Sequence, residues 1–415
     1  MRLINFLSAF LVIGGFAACS SSGDRDLKPG IWRGTLSRDG QQLPILLDIS
    51  KNPDGKSYTV YSVNGKERLQ LDSTYFENDS LHIPMQLFDA EIVAKLDADQ
   101  LKGRYSRLKD GNVVGSIPFE GKSGENYRFY KDGVAKSNRN VSGKWATTFI
   151  NTSTGDSTLS VGNFTQNGSD VEGSFLTPTG DYRFLNGSIN GDSLYLSTFD
   201  GSNAMLFKAA IQPDGSLKGA RWSGLKAHST WTARLDPNAK LPDATKLTFL
   251  KPGYDKVDFS FPDSDGKKVS LSDPQFKNKV VILQILGSWC PNCMDETNFL
   301  APWLKKNKER GVEIVGLAFE RSDKPEEAFP KVKRMISRLD MDYPVLLAGT
   351  NTDDATAKAL PMLNKVMSYP TTIFIDKKGK VREIHTGFSG PGTGKYYDEF
   401  VEEFNTLIDK MVAEK

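Results

Sequence analysis

Cys290 and Cys293, in the run Trp289-Cys290-Pro291-Asn292-Cys293, are the pair of residues whose types and spacing can do chemistry. An apolar run from Val280 to Leu286 leads into them, and an amphipathic segment from Met294 to about Lys308 leads out. That is the pattern of a strand delivering two cysteines to a helix start. Two sulfurs so spaced on a first helical turn can close a small disulfide ring. The first-turn N–H groups and the helix dipole stabilise the thiolate of the outer sulfur, and Pro291 suits the first helical position. The chemistry is thiol–disulfide exchange, with Cys290 expected as the exposed attacking thiol and Cys293 as the buried one. A metal knuckle is the alternative. A structural zinc needs about four ligands, yet no further cysteine lies near the motif and the only histidines are His82, His228 and His385. Neither a metal nor another cofactor is expected, the disulfide itself being the redox group.

The elements that must position this pair alternate between strand and helix. Val257 to Phe261 and Val269 to Leu271 read as a hairpin ahead of the central strand. Val312 to Phe319 is a buried-type strand, and Pro325 to Leu339 carries Phe329, Val332, Met335, Ile336 and Leu339 as a helical stripe, with Pro330 predicting a kink or late start. Pro344 to Leu347 is a short strand, followed by a helix over about Ala355 to Val366. Thr371 to Asp376 pairs with Lys380 to Ile384, and the last helix bears Phe400, Phe404, Leu407, Ile408 and Met411. A mixed sheet of four to five strands with helices on both faces follows, an α/β domain.

The N-terminal half reads differently. From about Leu27 to Leu235, short runs rich in Thr, Val, Tyr, Phe and Leu are punctuated by Asp54-Gly55, Asn64-Gly65, Asp110-Gly111, Asn167-Gly168, Asn190-Gly191 and Asp214-Gly215, residues suited to tight hairpins. This half is all-β and antiparallel, and it repeats. Gly30-Ile31-Trp32 returns as Gly143-Lys144-Trp145, Asp79-Ser80-Leu81 as Asp192-Ser193-Leu194, and Leu101-Lys102-Gly103 as Leu217-Lys218-Gly219. Two diverged copies of one meander are predicted, each with about eight short strands that either close a small barrel or make half of a sandwich. The Gly-x-Trp opening resembles that of calycin-type barrels, which implies a ligand cavity.

Lys plus Arg number 53 against 51 Asp plus Glu, a balance that gives no electrostatic case for nucleic acid. The third cysteine, Cys19, ends an apolar run from Leu3 to Ala18 that is too short and interrupted to span a membrane comfortably, and that reads as an export signal. Phe16-Ala17-Ala18-Cys19 resembles a bacterial lipoprotein lipobox, which implies acylation of Cys19. The Ser-rich stretch after it suits a flexible tether.

The order of elements after Gly253, the Trp-Cys-x-x-Cys and the Tyr369-Pro370-Thr371-Thr372 before a strand together resemble the thioredoxin fold, and most of all the membrane-anchored TlpA and ResA group of thiol–disulfide oxidoreductases. The resemblance implies that Pro370 is cis and adjoins the disulfide, that Trp289 and Tyr369 meet the substrate, and that Glu296 handles protons at Cys293. A surface acid is the alternative for Glu296. Gln284 stands where many thioredoxins carry a buried Asp, which leaves Glu296 as the ionisable group for that role.

The expected organisation is a signal peptide over 1–19, a tether over 20–26, β repeats over 27–138 and 139–236, a linker over 237–252 and a thioredoxin-like domain over 253–415. The expected activity is dithiol–disulfide exchange with protein substrates, recharged by an upstream redox donor. The expected place is the cell envelope of a Gram-negative-type bacterium, lipid-anchored in the outer membrane and facing the periplasm. A thiol peroxidase of the peroxiredoxin group and a ligand-binding or scaffold lipoprotein are the alternatives.

Overall fold

The computed structural model describes residues 26–109, 111–131 and 137–414. The segment expected as a signal peptide, with Cys19, lies outside them. Among the described residues no helix is long and apolar enough to cross a membrane.

The first β repeat runs through β1 (Gly30–Arg38), β2 (Gln41–Lys51), β3 (Ser57–Asn64), β4 (Glu67–Gln70), β5 (Thr74–Glu77), β6 (Ser80–Met85), β7 (Ala90–Asp97), β8 (Gln100–Lys109) and β9 (Asn112–Ser123). Successive strands pair antiparallel except that β3 pairs past β4 with β5, and β9 returns to β1. The sheet therefore closes on itself, with β4 left as a flap on β3 outside the ring. The second repeat runs through β10 (Gly143–Asn151), β11 (Ser157–Asn167), β12 (Asp170–Thr177), β13 (Gly180–Asp181), β14 (Leu185–Asn190), β15 (Ser193–Phe199), β16 (Ala204–Ile211), β17 (Leu217–Ser223) and β18 (Ala227–Leu235). It closes in the same way, with β13 as the flap on β12. The repeats are two barrels, each with its own closed sheet.

The repeated motifs have matching structural work. Trp32 and Trp145 are both buried, and each indole N–H donates at 2.8 Å to a carbonyl four residues back, those of Lys28 and Val141. At Gly103 and Gly219 a Cβ would stand 1.9 Å from the carbonyl oxygens of Val93 and Lys208, so the neighbouring strand leaves no room for a side chain. Within the second barrel Phe175 meets the rings of Phe149, Phe164, Phe207 and Trp231 at centroid distances of 5.1 to 5.4 Å. Aromatic packing fills the space a ligand would need there.

The C-terminal domain opens with the hairpin β19 (Ser260–Pro262) and β20 (Lys268–Ser270). Its sheet has the order β23-β22-β21-β24-β25, from β21 (Val280–Leu286), β22 (Val312–Glu320), β23 (Val345–Thr350), β24 (Thr371–Ile375) and β25 (Val381–Thr386). β21, β22 and β23 are parallel, while β24 and β25 run antiparallel to their neighbours. Every residue of β21 is buried, as expected of a central strand covered on both faces. Val280, Ile282 and Leu286 face the side of α1 (Pro291–Asn307), α2 (Pro325–Arg338) and α4 (Lys395–Ala413). Val281, Leu283 and Ile285 face the β19–β20 hairpin and the chain after α3 (Asp353–Ala359).

Three local expectations are corrected. α2 runs unbroken through Pro330; the missing N–H there costs one bond near the helix start rather than the helix. The helix expected over Ala355 to Val366 stops at Ala359, because Pro361 cannot donate and disfavours a helical Leu360. The segment 237–252, expected as a linker, is packed into the redox domain. Thr248 is fully buried with its N–H donating to Thr386 Oγ1 at 3.1 Å, and the Lys251 N–H reaches the Met362 carbonyl at 2.8 Å.

Candidate active site

α1 begins directly after Cys290, which is its N-cap residue, with Pro291 in the first helical position. The Cys293 N–H donates to Cys290 Sγ at 3.2 Å, so one of the orphan donors of the helix start points at the outer sulfur. The Cys290 thiol in turn donates to the Tyr369 carbonyl at 3.3 Å, and the Tyr369–Pro370 peptide is cis. Both thiols are free. The turn that carries them is held from below: the Ser288 N–H and hydroxyl both donate to Glu320, each at 2.8 Å, and the Trp289 indole donates to the Phe319 carbonyl at 3.0 Å.

Cys293 is 1% exposed, and burial first, then the bond and charge of Cys290, raise its thiol well above the ordinary range. Cys290 is 5% exposed, which corrects the expectation of an exposed thiol. Trp289 and Tyr369, edge to face at 5.3 Å, flank it, and a neighbouring domain occupies the surface beside it. These half-buried rings keep the outer sulfur out of bulk water.

Glu296, one turn beyond Cys293, is fully buried, so the surface-acid alternative fails. Thr372 donates to its Oε1 at 2.6 Å and Gln284 to its Oε2 at 2.8 Å. Gln284 is itself oriented by the Tyr343 hydroxyl, which donates to its Oε1 at 3.2 Å. Burial pushes Glu296 up to about 7, against the pull of the Thr372 and Gln284 bonds. A carboxyl with that proton affinity can both give and take a proton near neutrality.

The site is not built by the redox domain alone. The Asn292 amide donates to the Asp181 carbonyl at 3.2 Å, Ser368 Oγ donates to the Thr179 carbonyl at 2.5 Å, and the Gly390 N–H donates to the Asp181 carboxylate at 2.7 Å. Thr179 and Asp181 belong to the β12–β13 flap of the second barrel. On the first barrel, β4 and the turn after it meet α2 through Arg338, which donates to the Gln70 carbonyl and pairs with Asp72 at 2.9 Å. In each copy the strand left outside the ring touches the redox domain, and further contacts come from Asp89 of the first barrel, paired with Lys331 at 2.8 Å, and from Asn163 of the second, which donates to the Thr393 carbonyl at 3.3 Å.

Comparison with known proteins follows this division. The Redoxin family matches residues 237–399. The thiol-disulfide oxidoreductase ResA of Bacillus thuringiensis is 31% identical over 160 residues, covering 38% of this chain and 82% of that one. The chain belongs to the ResA-like thiol–disulfide oxidoreductase family. The thioredoxin-like protein YneN of Bacillus subtilis is 30% identical over 140 residues, covering 33% of this chain and 73% of its own. A thiol:disulfide interchange protein from Chlorobium tepidum, 23% identical, covers 38% of this chain and 96% of its own with a TM-score of 0.30. A putative protein disulfide isomerase from Bacteroides thetaiotaomicron, 25% identical, covers 40% and 93% with a TM-score of 0.29.

In this ResA-like chain Cys290, Cys293, Glu296, Pro370, Trp289 and Tyr369 gather at one end of the central sheet, at the start of α1 and the loop before β24. Sequence reasoning missed Ser288 and Glu320, which hold the catalytic turn, and missed Asp181, Arg183 and Asp295, which dock the second barrel on it. For Glu320 a signal existed: an acid directly after the apolar run Ile314 to Phe319 is placed where the strand ends beside the site. For Arg183 there was none.

Proposed function

We propose that the chain is an exported, lipid-anchored oxidoreductase that exchanges disulfides with protein substrates through Cys290 and Cys293. The observation that carries this is the Cys290 sulfur itself: it accepts the Cys293 N–H at the start of α1 and abuts the Tyr369 carbonyl, above a buried Glu296. Cys290 attacks one sulfur of the substrate disulfide, forming a mixed disulfide and releasing the other sulfur as a thiol. Cys293 then attacks Cys290 Sγ, which closes the Cys290–Cys293 disulfide and releases the reduced substrate. Glu296 takes the proton that Cys293 must lose. Thiols of an upstream donor reopen the disulfide, and no other cofactor enters the cycle.

Tyr369 and Trp289 meet the substrate chain, and the residues before Pro370 offer backbone for strand-like pairing. Acylation at Cys19 would hold the protein in the outer membrane, facing the periplasm; several acyl groups on one residue are needed for stable anchoring. Intact-mass analysis of the membrane fraction tests that part, an unmodified soluble chain being the contrary result. Turnover of a protein disulfide, run with and without peroxide and with Cys290→Ser as the control, tests the activity. Exchange without peroxide that is lost in Cys290→Ser supports it. Turnover that requires peroxide makes the chain a thiol peroxidase, and no turnover at all leaves a binding protein.

A further inference from the structure

Both residues between the two cysteines are held from the second barrel, which contains no cysteine of its own. Asn292 is held by the Asp181 carbonyl. Pro291 is held by Arg183, whose Nη1 donates to its carbonyl at 2.8 Å and also pairs with Asp295, one turn into α1, at 2.6 Å. The other guanidinium nitrogens reach Glu67 of the first barrel at 2.5 Å and Asp200 of the second at 3.7 Å. The Arg183 side chain is only 5% exposed. A single buried guanidinium thus joins both barrels to the first turn of α1.

We propose that Arg183 is a positioning residue for the Cys290–Cys293 couple, fixing the first turn of α1 and favouring its reduced form. The Pro291 carbonyl belongs to the turn whose Cys293 N–H meets the Cys290 sulfur, and Asp295 follows one turn on. Their hold on Arg183 locks the arrangement in which the Cys293 N–H meets Cys290 Sγ. A guanidinium is always charged, and its planar fork grips two acceptors in fixed geometry. The turn so held carries both cysteines as free thiols, so fixing it favours the reduced arrangement, and whatever stabilises the reduced form makes a couple more oxidising. Thus a domain that cannot itself exchange disulfides acts on the exchange through one side chain.

This rests on Cys290 and Cys293 being the redox couple, and one titration separates the two ideas. Two glutathione thiols reduce the Cys290–Cys293 disulfide to two thiols and become glutathione disulfide: one S–S bond breaks, one forms, and two electrons and two protons move. The full chain is equilibrated at pH 7 with mixtures of reduced and oxidised glutathione, and its dithiol fraction is read by alkylation and mass. Arg183→Gln is expected to shift the constant about tenfold toward the protein disulfide, about 30 mV more reducing. Arg183→Lys keeps the charge without the fork and is expected between the two, about threefold from the natural chain. Should Arg183→Gln fail to fold, Arg183→Lys alone decides. An unshifted constant in a folded variant, or a shift toward the dithiol, overturns the inference and leaves the couple standing. Absence of any reversible Cys290–Cys293 disulfide in the natural chain would instead defeat the proposed function.

Discussion

Gln284 donates its side-chain amide to Glu296 at 2.8 Å, and neither residue has any exposed surface. The neutral amide on the central strand leaves the carboxyl on α1 as the group that titrates beside Cys293. Its bonds to Thr372 and Gln284 favour the carboxylate while burial opposes it, and the balance stands at about 7. The rate of mixed-disulfide resolution should therefore rise with pH through about 7. Glu296→Gln should flatten that rise and slow resolution at pH 8 by about a hundredfold, the lower end of the range for a lost general base. Thr372→Val removes a bond that favours the carboxylate, so it should move the rise to higher pH. Stopped-flow measurement of resolution across pH 5 to 9 checks both, and an unchanged profile in Glu296→Gln would remove the residue from the mechanism.

The same carboxyl sets a stability trend. A group whose folded value is raised, from 4.5 to about 7, binds its proton more tightly in the folded state. Its contribution is fully present below 4.5 and is lost as pH climbs toward 7. Two and a half units correspond to about 3 kcal/mol. Denaturant titrations should show the natural chain losing stability between pH 4.5 and 7 by roughly that much more than Glu296→Gln does.

Arg128 should matter to the joint between the barrels. Fully buried, it donates to the Val63 carbonyl at 2.5 Å, to Ser197 Oγ at 2.9 Å and to the Pro44 carbonyl at 3.3 Å. Arg128→Ala removes all three bonds, leaving Ser197 and the Pro44 carbonyl their mutual bond at 3.0 Å, at a cost of about 3 kcal/mol. Chemical denaturation of the full chain, followed by tryptophan fluorescence, should register that loss. The variant should leave the glutathione equilibrium of the cysteines where it was.

The fold was legible wherever periodicity and turn chemistry agree. The run Val280 to Leu286, apolar but for Gln284, reads as a covered strand, and the recurring Gly-x-Trp and Leu-Lys-Gly marked two copies of one sheet. Closure into separate barrels was not legible, because it rests on the first strand of each copy pairing with its last, β1 with β9 and β10 with β18, and hairpin patterns say nothing about which distant edges meet. The cysteine pair and the place of Glu296 one turn after Cys293 were legible through local spacing, and Pro370 through the resemblance of Tyr369-Pro370-Thr371-Thr372 to the thioredoxin fold. The flap on Asn292 and Ser368 was not: Thr179, Asp181 and Arg183 are ordinary turn residues in sequence and acquire their role only by docking against another domain.

Burial of both sulfurs makes a prediction about access. Cys290 keeps 5% of its surface and Cys293 1%. Small uncharged alkylating agents should modify Cys290 first. Arg183→Gln, which weakens the flap, should accelerate that reaction by several-fold, roughly the effect of about 1 kcal/mol in local opening. Peptide mapping after brief labelling checks the order, and labelling of Cys293 first would reverse the two roles.

Trapping the covalent intermediate is the most direct test of the central claim. The full chain carrying Cys293→Ser, reduced and then mixed with an oxidised protein substrate, should accumulate a mixed disulfide on Cys290 that a small thiol releases, because no second sulfur remains to resolve it. Cys290→Ser should accumulate none. An adduct that forms in Cys290→Ser, or none in Cys293→Ser while the natural chain turns the substrate over, would contradict the account.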